Sequence, residues 1–586
     1  MRKTMMIGLV VIFGCFVLAC SGEDDPDGLT NNDDNDAGYQ DADVNGGDED
    51  VNGECVPVDE CSPGICGEVD DGCGGTFDCG ECACEEGVAV DETCGACDLG
   101  LLTCEPGETG MGVCDEPDIP GFSGDCDELV FVNLGVGSSS GAGTMQDPLD
   151  SLPLAIDEAR SKDAVAVILA GGAGVEYEGP VILEEPLSII GGYRTNWKRD
   201  TDNSPVIRSS ESAGELESGD IVGVYSKGVL QRHRLEHITI KTTDVVAAGR
   251  TNYGIYVNGS PGLELYEVEV QAGKGGDGDS GSQGADGEDG VEGDSAGMRS
   301  ALISEPGDPV AGGHNPACPD ADGGAGGLGE YETNYPTDGE STDGADGGRG
   351  GVADSASHGP GEDGEDAEAN LTPGDNGQGG SGIGSVVDGK WVSDGAGLDG
   401  EQGPAGFGGG GGGGAMIAED DSASVGAAGG GGGSGGCGGA GGSGGMGGGA
   451  SFGLFVLYSD IEIWNSGFSA DLGGEGGDGG EGGLGGQGAP GGDGMTEYYI
   501  PGLGGNPTTY YDYTYTGGDG GAGGQGGRGG HGGGGAGGPS FGAYCAGSHL
   551  EVHGPRRFSA AGHSQGGLNP AHAGEDGASI DEYQCE

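Results

Sequence analysis

The chain carries 18 cysteines among 586 residues, and these are its most reactive side chains. Twelve lie between Cys55 and Cys126: Cys55, Cys61, Cys66, Cys73, Cys79, Cys82, Cys84, Cys94, Cys97, Cys104, Cys114 and Cys126. Among them Cys79-x-x-Cys82 and Cys94-x-x-Cys97 make two knuckles of the kind that binds zinc. The 11 residues between the knuckles are fewer than a zinc ribbon needs, and further cysteines crowd the same stretch. Redox work at a CxxC requires a thiolate stabilised by a nearby cation. No Lys or Arg occurs between Cys20 and Cys126, which speaks against it. The twelve are therefore disulfide candidates, a framework that makes a compact stalk without a large core.

Other constellations are thin. His549 and His553 stand four apart near Cys545, a metal-ligand spacing on a helix. In a strand they lie about 13 Å apart and cannot share an ion. Arg232 and Arg234 flank His233 and read as a solvated strand face. Tyr498, Tyr499, Tyr510, Tyr511, Tyr513 and Tyr515 crowd one insertion, as a platform for a sugar or as a local hairpin. Asp41, Asp43, Asn45 and Gly46 match the first half of an EF-hand loop, but Asn52 stands where a bidentate Glu belongs. No nucleophile elbow, P-loop or HExxH occurs. No catalytic residue, metal site or cofactor is expected, diffuse Ca²⁺ binding apart.

The N-terminus predicts where such cysteines become oxidised. Arg2 and Lys3 precede the apolar run Met5–Ala19, shorter than the ~20 residues that span a bilayer, which predicts a signal peptide over 1–19. It ends in VLAC, which resembles a bacterial lipobox. The resemblance implies cleavage before Cys20 and acylation of Cys20. With Ser21 following, it also implies an outer-membrane anchor that several acyl chains would hold firmly. Residues 20–53 have Tyr39 as their only aromatic and no basic residue, the composition of an acidic disordered tether. In the cysteine-rich module 54–126, CGEVDDGCGGTFDCGEC and CGACDLGLLTC look like spacers in surface lipoproteins of myxobacteria and their relatives.

At Leu129 the pattern changes to short apolar strands closed by Gly or Pro: LVFVNLG, VAVILAGG, GPVILEEPLSIIGGY, PVIRSS, IVGVYS, LEHITIK, YGIYVNG and LELYEVEVQAG. Asp147–Ser161 predicts a helix with Leu149, Leu152, Ile156 and Ala159 on one face and Pro153 in its first turn. Strand, helix, V-x-V-x-x-A-G and a strand ending Gly191-Gly192-Tyr193, then Trp197, Arg199 and Asp200, together resemble right-handed parallel β-helix proteins of the pectin-lyase-like type. The resemblance covers about 129–272 and implies an all-β fold, a parallel β-helix over 127–272 whose short helix caps the first turn of the coil.

Past Gly273 the chain is glycine-rich, and 146 residues in all are Gly. Gly recurs every third residue from Gly275 to Gly293, Gly429 to Gly447, Gly473 to Gly494 and Gly517 to Gly538. In the last three arrays a second register is also mostly Gly. GGx repeats suit polyglycine-II helices, threefold and extended; a disordered linker is the alternative. Between arrays, near 450–470 and 540–562, a unit recurs whose triplets are Leu263-Glu264-Leu265, Ile461-Glu462-Ile463 and Leu550-Glu551-Val552. Alternation puts each Glu outward. Residues 273–586 are thus expected to be long excursions on one side of a single β-helix.

Acids outnumber bases 100 to 20, a net charge of −80. Phosphate contacts need clustered Lys and Arg, so a nucleic-acid partner is not expected. The expected role is that of a non-enzymatic, lipid-anchored cell-surface protein for adhesion, matrix contact or envelope protection. Its partners would be the membrane, through the lipid, and a polysaccharide or another surface protein. The alternatives are a carbohydrate-active β-helix enzyme, lyase or hydrolase, and a passive spacer or fibre element.

Overall fold

Short apolar strands that cannot bury a face alone gain a continuous core by stacking as successive turns of a coil. The computed structural model describes residues 68–70, 76–78, 93–103, 113–172, 175–297, 310–329, 336–342, 360–415, 427–498 and 514–585. A small unit, Met1–Ala83 with Thr109–Met111, contributes the antiparallel hairpin Glu68–Asp70 and Thr76–Asp78. Everything else described belongs to a second unit built on a parallel β-helix.

The coil visits three parallel sheets in turn. The first comprises Leu129–Asn133, Ala166–Ala170, Ser188–Tyr193, His233–Glu236, Leu263–Tyr266, Asp460–Trp464 and His549–His553. The second comprises Glu176–Glu178, Val206–Ser209, Thr239–Thr242, Glu269–Ala272, Gly467–Ala470 and Arg557–Ala560. The third comprises Val181–Leu183, Ile221–Lys227, Asn252–Asn258, Ser451–Leu457, Ser540–Ala546 and Ser579–Tyr583. Strands separated by almost two hundred residues are neighbours, as in Glu264 opposite Glu462.

Two of the three corners are tight. Between the third and first sheets the bend is made by Gly228, Gly259, Tyr458 and Gly547, and between the first and second by His237, Glu267, Asn465 and Gly554, all with positive φ. A left-handed residue costs about 1–2 kcal/mol when it is not Gly, so the stacked neighbours must hold it. Serines help: the Ser260 N–H donates to Ser459 Oγ at 2.9 Å and the Ser459 N–H to Ser548 Oγ at 3.1 Å. The corner from second to third sheet has no such bend. The glycine-rich connections all leave there, across 273–450, 471–539 and 561–578, on the one side that the repeated triplets predict.

Val167, Ile189, Leu235, Leu265 and Ile463 stack inside the coil, all buried. The helix spans Leu152–Lys162, later than the expected start at Asp147, and lays Leu152, Ala155, Ile156 and Ala159 over the first turn. Asp147–Asp150 instead form a turn in which Leu149 bridges to Val132. Outside the third sheet, Tyr225, Tyr256, Phe455, Tyr544 and Tyr583 form one ladder of near-parallel rings 5.1–5.6 Å apart. A hairpin from the first glycine excursion, Ser385–Val387 with Lys390–Val392, lays Trp391 against Phe452, Phe541 and Tyr544. Aromatic packing thereby fastens the excursion to the coil.

The glycine arrays are packed, not strung out. Gly278, Gly281, Gly284, Gly287 and Gly290 donate their N–H groups to the carbonyls of 475, 478, 481, 484 and 487 at 2.7–2.8 Å. Array 474–492 donates in the same way to 431–449, and 431–449 donates back to 276–294, closing a triangle. Array 427–449 uses its other registers to reach 518–536 and 321–327. The number of glycines per triplet follows the number of neighbours. The outer array 275–293 has one; the inner array 429–447 has two or more. Arrays 361–380 and 395–414, not picked out in the sequence, join the same packing.

Asp-Gly pairs add a clasp. Gly287 donates to the Leu484 carbonyl while Asp286 Oδ1 accepts from the Leu484 N–H at 2.8 Å. The same two-bond clasp holds 475 (Asp277-Gly278), 487 (Asp289-Gly290), 519 (Asp363-Gly364) and 568 (Asp478-Gly479). Many acids here are therefore acceptors for backbone that has no other partner.

A Cβ at Gly483 would stand 2.0 Å from the Ala285 carbonyl oxygen, whereas the Leu484 side chain is 56% exposed. Gly483→Ala is expected to destabilise the array layer by about 1–3 kcal/mol, and Leu484→Ala to be near neutral. Asp286→Ala should cost ~1 kcal/mol, with Asp286→Asn keeping the acceptor. Thermal unfolding with limited proteolysis of the 273–539 region reads both comparisons.

Candidate functional site

Parallel strands in register line up their outward residues. On the first sheet Arg234, Glu264, Glu462 and Glu551 form one outward file, and Glu236, Tyr266, Trp464 and His553 a second beside it. The early half of this face is covered by residues 93–103 and 113–126. That cover is clasped by disulfides Cys94–Cys114 and Cys97–Cys126.

Under the cover is a cluster that strand-by-strand reading did not reveal. Arg199 Nη2 meets Glu236 Oε1 at 2.6 Å with both side chains 2–4% exposed. Arg234 reaches Glu264 at 2.8 Å, Glu236 at 3.3 Å and Asp118 of the cover at 3.1 Å. Arg232 adds a 2.5 Å bond to Glu264. Tyr193 Oη donates to the Leu99 carbonyl at 3.0 Å and accepts from Arg199. The expected solvated face is thus corrected for Arg234, which is buried. Its neighbours in sequence gave no warning, because its partners come from other turns of the coil and from the cover.

Electrostatics fix the protonation states. Burial works against the charged form of Glu264, but hydrogen bonds from Arg232 and Arg234 outweigh it and hold its carboxyl below the usual range. Burial raises the Tyr193 phenol and lowers the imidazoles of His233 and His237. His233 points into the coil, with Nε2 3.3 Å from Ser226 Oγ and Nδ1 3.0 Å from the Gln231 carbonyl. A general acid needs a protonated carboxyl within reach of substrate. Glu236 and Glu264 are instead held against guanidinium groups beneath a clasped segment.

Past the cover the face is open among the described residues: Glu462 and Glu551 are exposed beside Trp464 and His553. Trp464 stacks on His553 at 3.7 Å and faces Tyr266 at 6.4 Å. One ring face is thus stacked on His553, Tyr266 stands tilted on the side of the other, and the residue remains 37% exposed. His549 and His553 lie on one extended strand, as their spacing requires. Among the described residues no three His, Cys, Asp or Glu side chains gather to hold a metal.

Cys20, Cys55, Cys61, Cys66, Cys73, Cys79, Cys82, Cys84 and Cys104 lie outside the described residues, as do Tyr499, Tyr510, Tyr511 and Tyr513. The strands holding Tyr498 and Tyr515 pair as an antiparallel hairpin. Two bridges lie beyond the cysteine block. Cys318–Cys437 stitches two glycine arrays, and Cys545–Cys585 ties strand Ser540–Ala546 of the third sheet to the residues that follow its neighbour Ser579–Tyr583. Their partners are 119 and 40 residues apart, a separation that carries no local signal.

No protein-family model matches the chain, and no curated protein matches it in sequence. Among solved structures it is similar to the GH136 lacto-N-biosidase from Eubacterium ramulus, as native protein and as selenomethionine derivative. Identity is 16% and 15%, with TM-scores of 0.17 and 0.18. The match covers 24% of this chain and 27% of that one. The chain therefore spans about a quarter of that protein's length, and the likeness bears on neither activity nor substrate.

Removing one member of a buried ion pair strands the other. Glu236→Gln is expected to cost about 3–5 kcal/mol by chemical denaturation, while Glu551→Gln on the open half stays within ~0.5 kcal/mol. Because folding lowers the His233 pKa, the unfolded chain binds a proton that the folded chain refuses. That stability is present above about pH 6.5 and is lost as pH falls through it. The drop in melting midpoint from about pH 7.5 to 5.5 should be smaller in His233→Gln than in the parent.

Proposed function

We propose that the chain is a lipid-anchored, non-enzymatic surface protein that displays a rigid β-helix and its glycine-rich layer for adhesion, matrix contact or envelope protection. One observation carries the reading. The cluster of carboxylates and guanidinium groups on the first sheet is paired within itself: Arg199 and Arg234 are buried and ion-paired under a disulfide-clasped cover, and Arg232 at its exposed rim is bound to Glu264. Such a cluster holds a segment in place, and its buried carboxylates, Glu236 and Glu264, are engaged with arginine. Disulfide bonds agree with an oxidising compartment, and the VLAC sequence ending at Cys20 supplies the anchor.

A second reading, a carbohydrate-active enzyme, draws on Glu462 and Glu551, exposed and in register on adjacent strands. Strand spacing puts such a pair about 5 Å apart, within the range of paired glycosidase carboxylates. Against it, His553 already stacks on one ring face of Trp464 and Tyr266 stands beside the other.

Two measurements test the proposal. Cys20→Ala should move the protein from the membrane fraction to the soluble fraction of its own cells. The lipid-free chain should release neither reducing ends nor unsaturated products from a panel of polysaccharides. Release that Glu462→Gln abolishes would transfer the assignment to the second reading.

A further inference from the structure

The first sheet's outer face is one continuous surface used in two ways. Its early half is an interface within the chain, and charge is matched across it: the face presents Arg234, and the cover answers with Asp118 at 3.1 Å. Within that half the guanidinium of Arg234 also forks between Glu264 and Glu236. The open half continues the same files with no arginine in them. Glu462 takes the place of Glu264 and Glu551 follows it, directly opposite on neighbouring strands. Like charges placed so are mutually destabilising. Arg232, on which Glu462 also acts, is engaged with Glu264 at 2.5 Å, and among the described residues Glu551 pairs with His553 alone, at 3.4 Å.

We infer that the open half of this face, Glu462 and Glu551 beside the exposed Trp464, docks an arginine-bearing polypeptide segment. The inference deepens the display reading above and rests on it. Charge complementarity selects a cationic partner, and continuity with the covered half selects a polypeptide, because a polypeptide already occupies the other half. Guanidinium is favoured over ammonium because its planar fork can bridge two carboxylates, as Arg234 does here. A saccharide is disfavoured because His553 already stacks on one ring face of Trp464 and Tyr266 stands beside the other.

The net charge of −80 makes diffuse attraction the rival explanation, so the test must separate a site from a field. Trp464 is 37% exposed, whereas Trp197 and Trp391 are 8% and 5% exposed, so tryptophan emission reports on this face. The full chain is titrated with a short peptide holding two arginines in extended spacing, in about 150 mM salt where distant charges are screened. The expected result is a saturable emission change, weakened roughly tenfold or more by Glu462→Gln with Glu551→Gln, a loss of at least ~1.4 kcal/mol. Glu365→Gln with Glu368→Gln, which removes equal charge from the glycine layer, should leave it unchanged, and the lysine version of the peptide should bind more weakly. Equal weakening by both double variants would overturn the site in favour of diffuse charge. A signal produced by calcium or by an oligosaccharide, but not by the arginine peptide, would overturn the partner. Either failure leaves the absence of catalysis standing, since that is read separately by product release.

Discussion

Backbone oxygen sits where a side chain would begin. Throughout the glycine layer the carbonyl of one array lies about 2 Å from the place a neighbour's Cβ would occupy, as at Gly483 and Ala285. That approach brings the N–H donors of one extended helix into range of carbonyls on the next, in a conformation that has no hydrogen bonds of its own. Without it those donors and acceptors would be buried unpaired. Glycine is therefore a packing requirement here, and its count per triplet records how many neighbours an array has.

The layer could not organise itself from chain entropy alone, since glycine loses more backbone freedom on folding than any other residue. The β-helix supplies the boundary conditions. Every long excursion starts at the end of a second-sheet strand and ends at the start of a third-sheet strand, so the arrays begin and finish in register with the coil. Trp391, set against the aromatic ladder, gives the longest excursion a further point of attachment midway. Cys318–Cys437 fixes two arrays to each other. Local order in the arrays is thus inherited from the coil.

Charge is managed differently in the two parts. In the layer, Asp286 and its counterparts accept from backbone N–H groups and so take part in the packing. On the first sheet, carboxylates are either closed against arginine beneath the cover, as with Glu236 and Arg199, or left open to solvent, as with Glu462 and Glu551. The boundary between the two states falls where the cover ends. An excess of acid that reads in composition as mere solubility is, by position, hydrogen-bond acceptor, structural ion pair and exposed surface.

Much of the architecture was legible in the residues. Alternating apolar strands, the triplets around Glu264, Glu462 and Glu551, and glycine at every third position each express a local periodicity, and local periodicity is what a sequence records directly. From these follow the short strands, the outward direction of each Glu and the excursions on one side, while the parallel coil was implied by the resemblance carried by Gly191, Gly192, Tyr193, Trp197, Arg199 and Asp200. Which arrays neighbour which, the late start of the helix, the Cys318–Cys437 and Cys545–Cys585 bridges and the cluster around Arg234 were not legible. Arg199, Glu236, Glu264 and Asp118 come from different turns and from the cover, up to 146 positions apart. The sequence by itself determined the repeating conformations, because those depend on residues two or three apart. Only the tertiary structure decided the charge cluster, because it arises when separate turns are stacked at strand spacing.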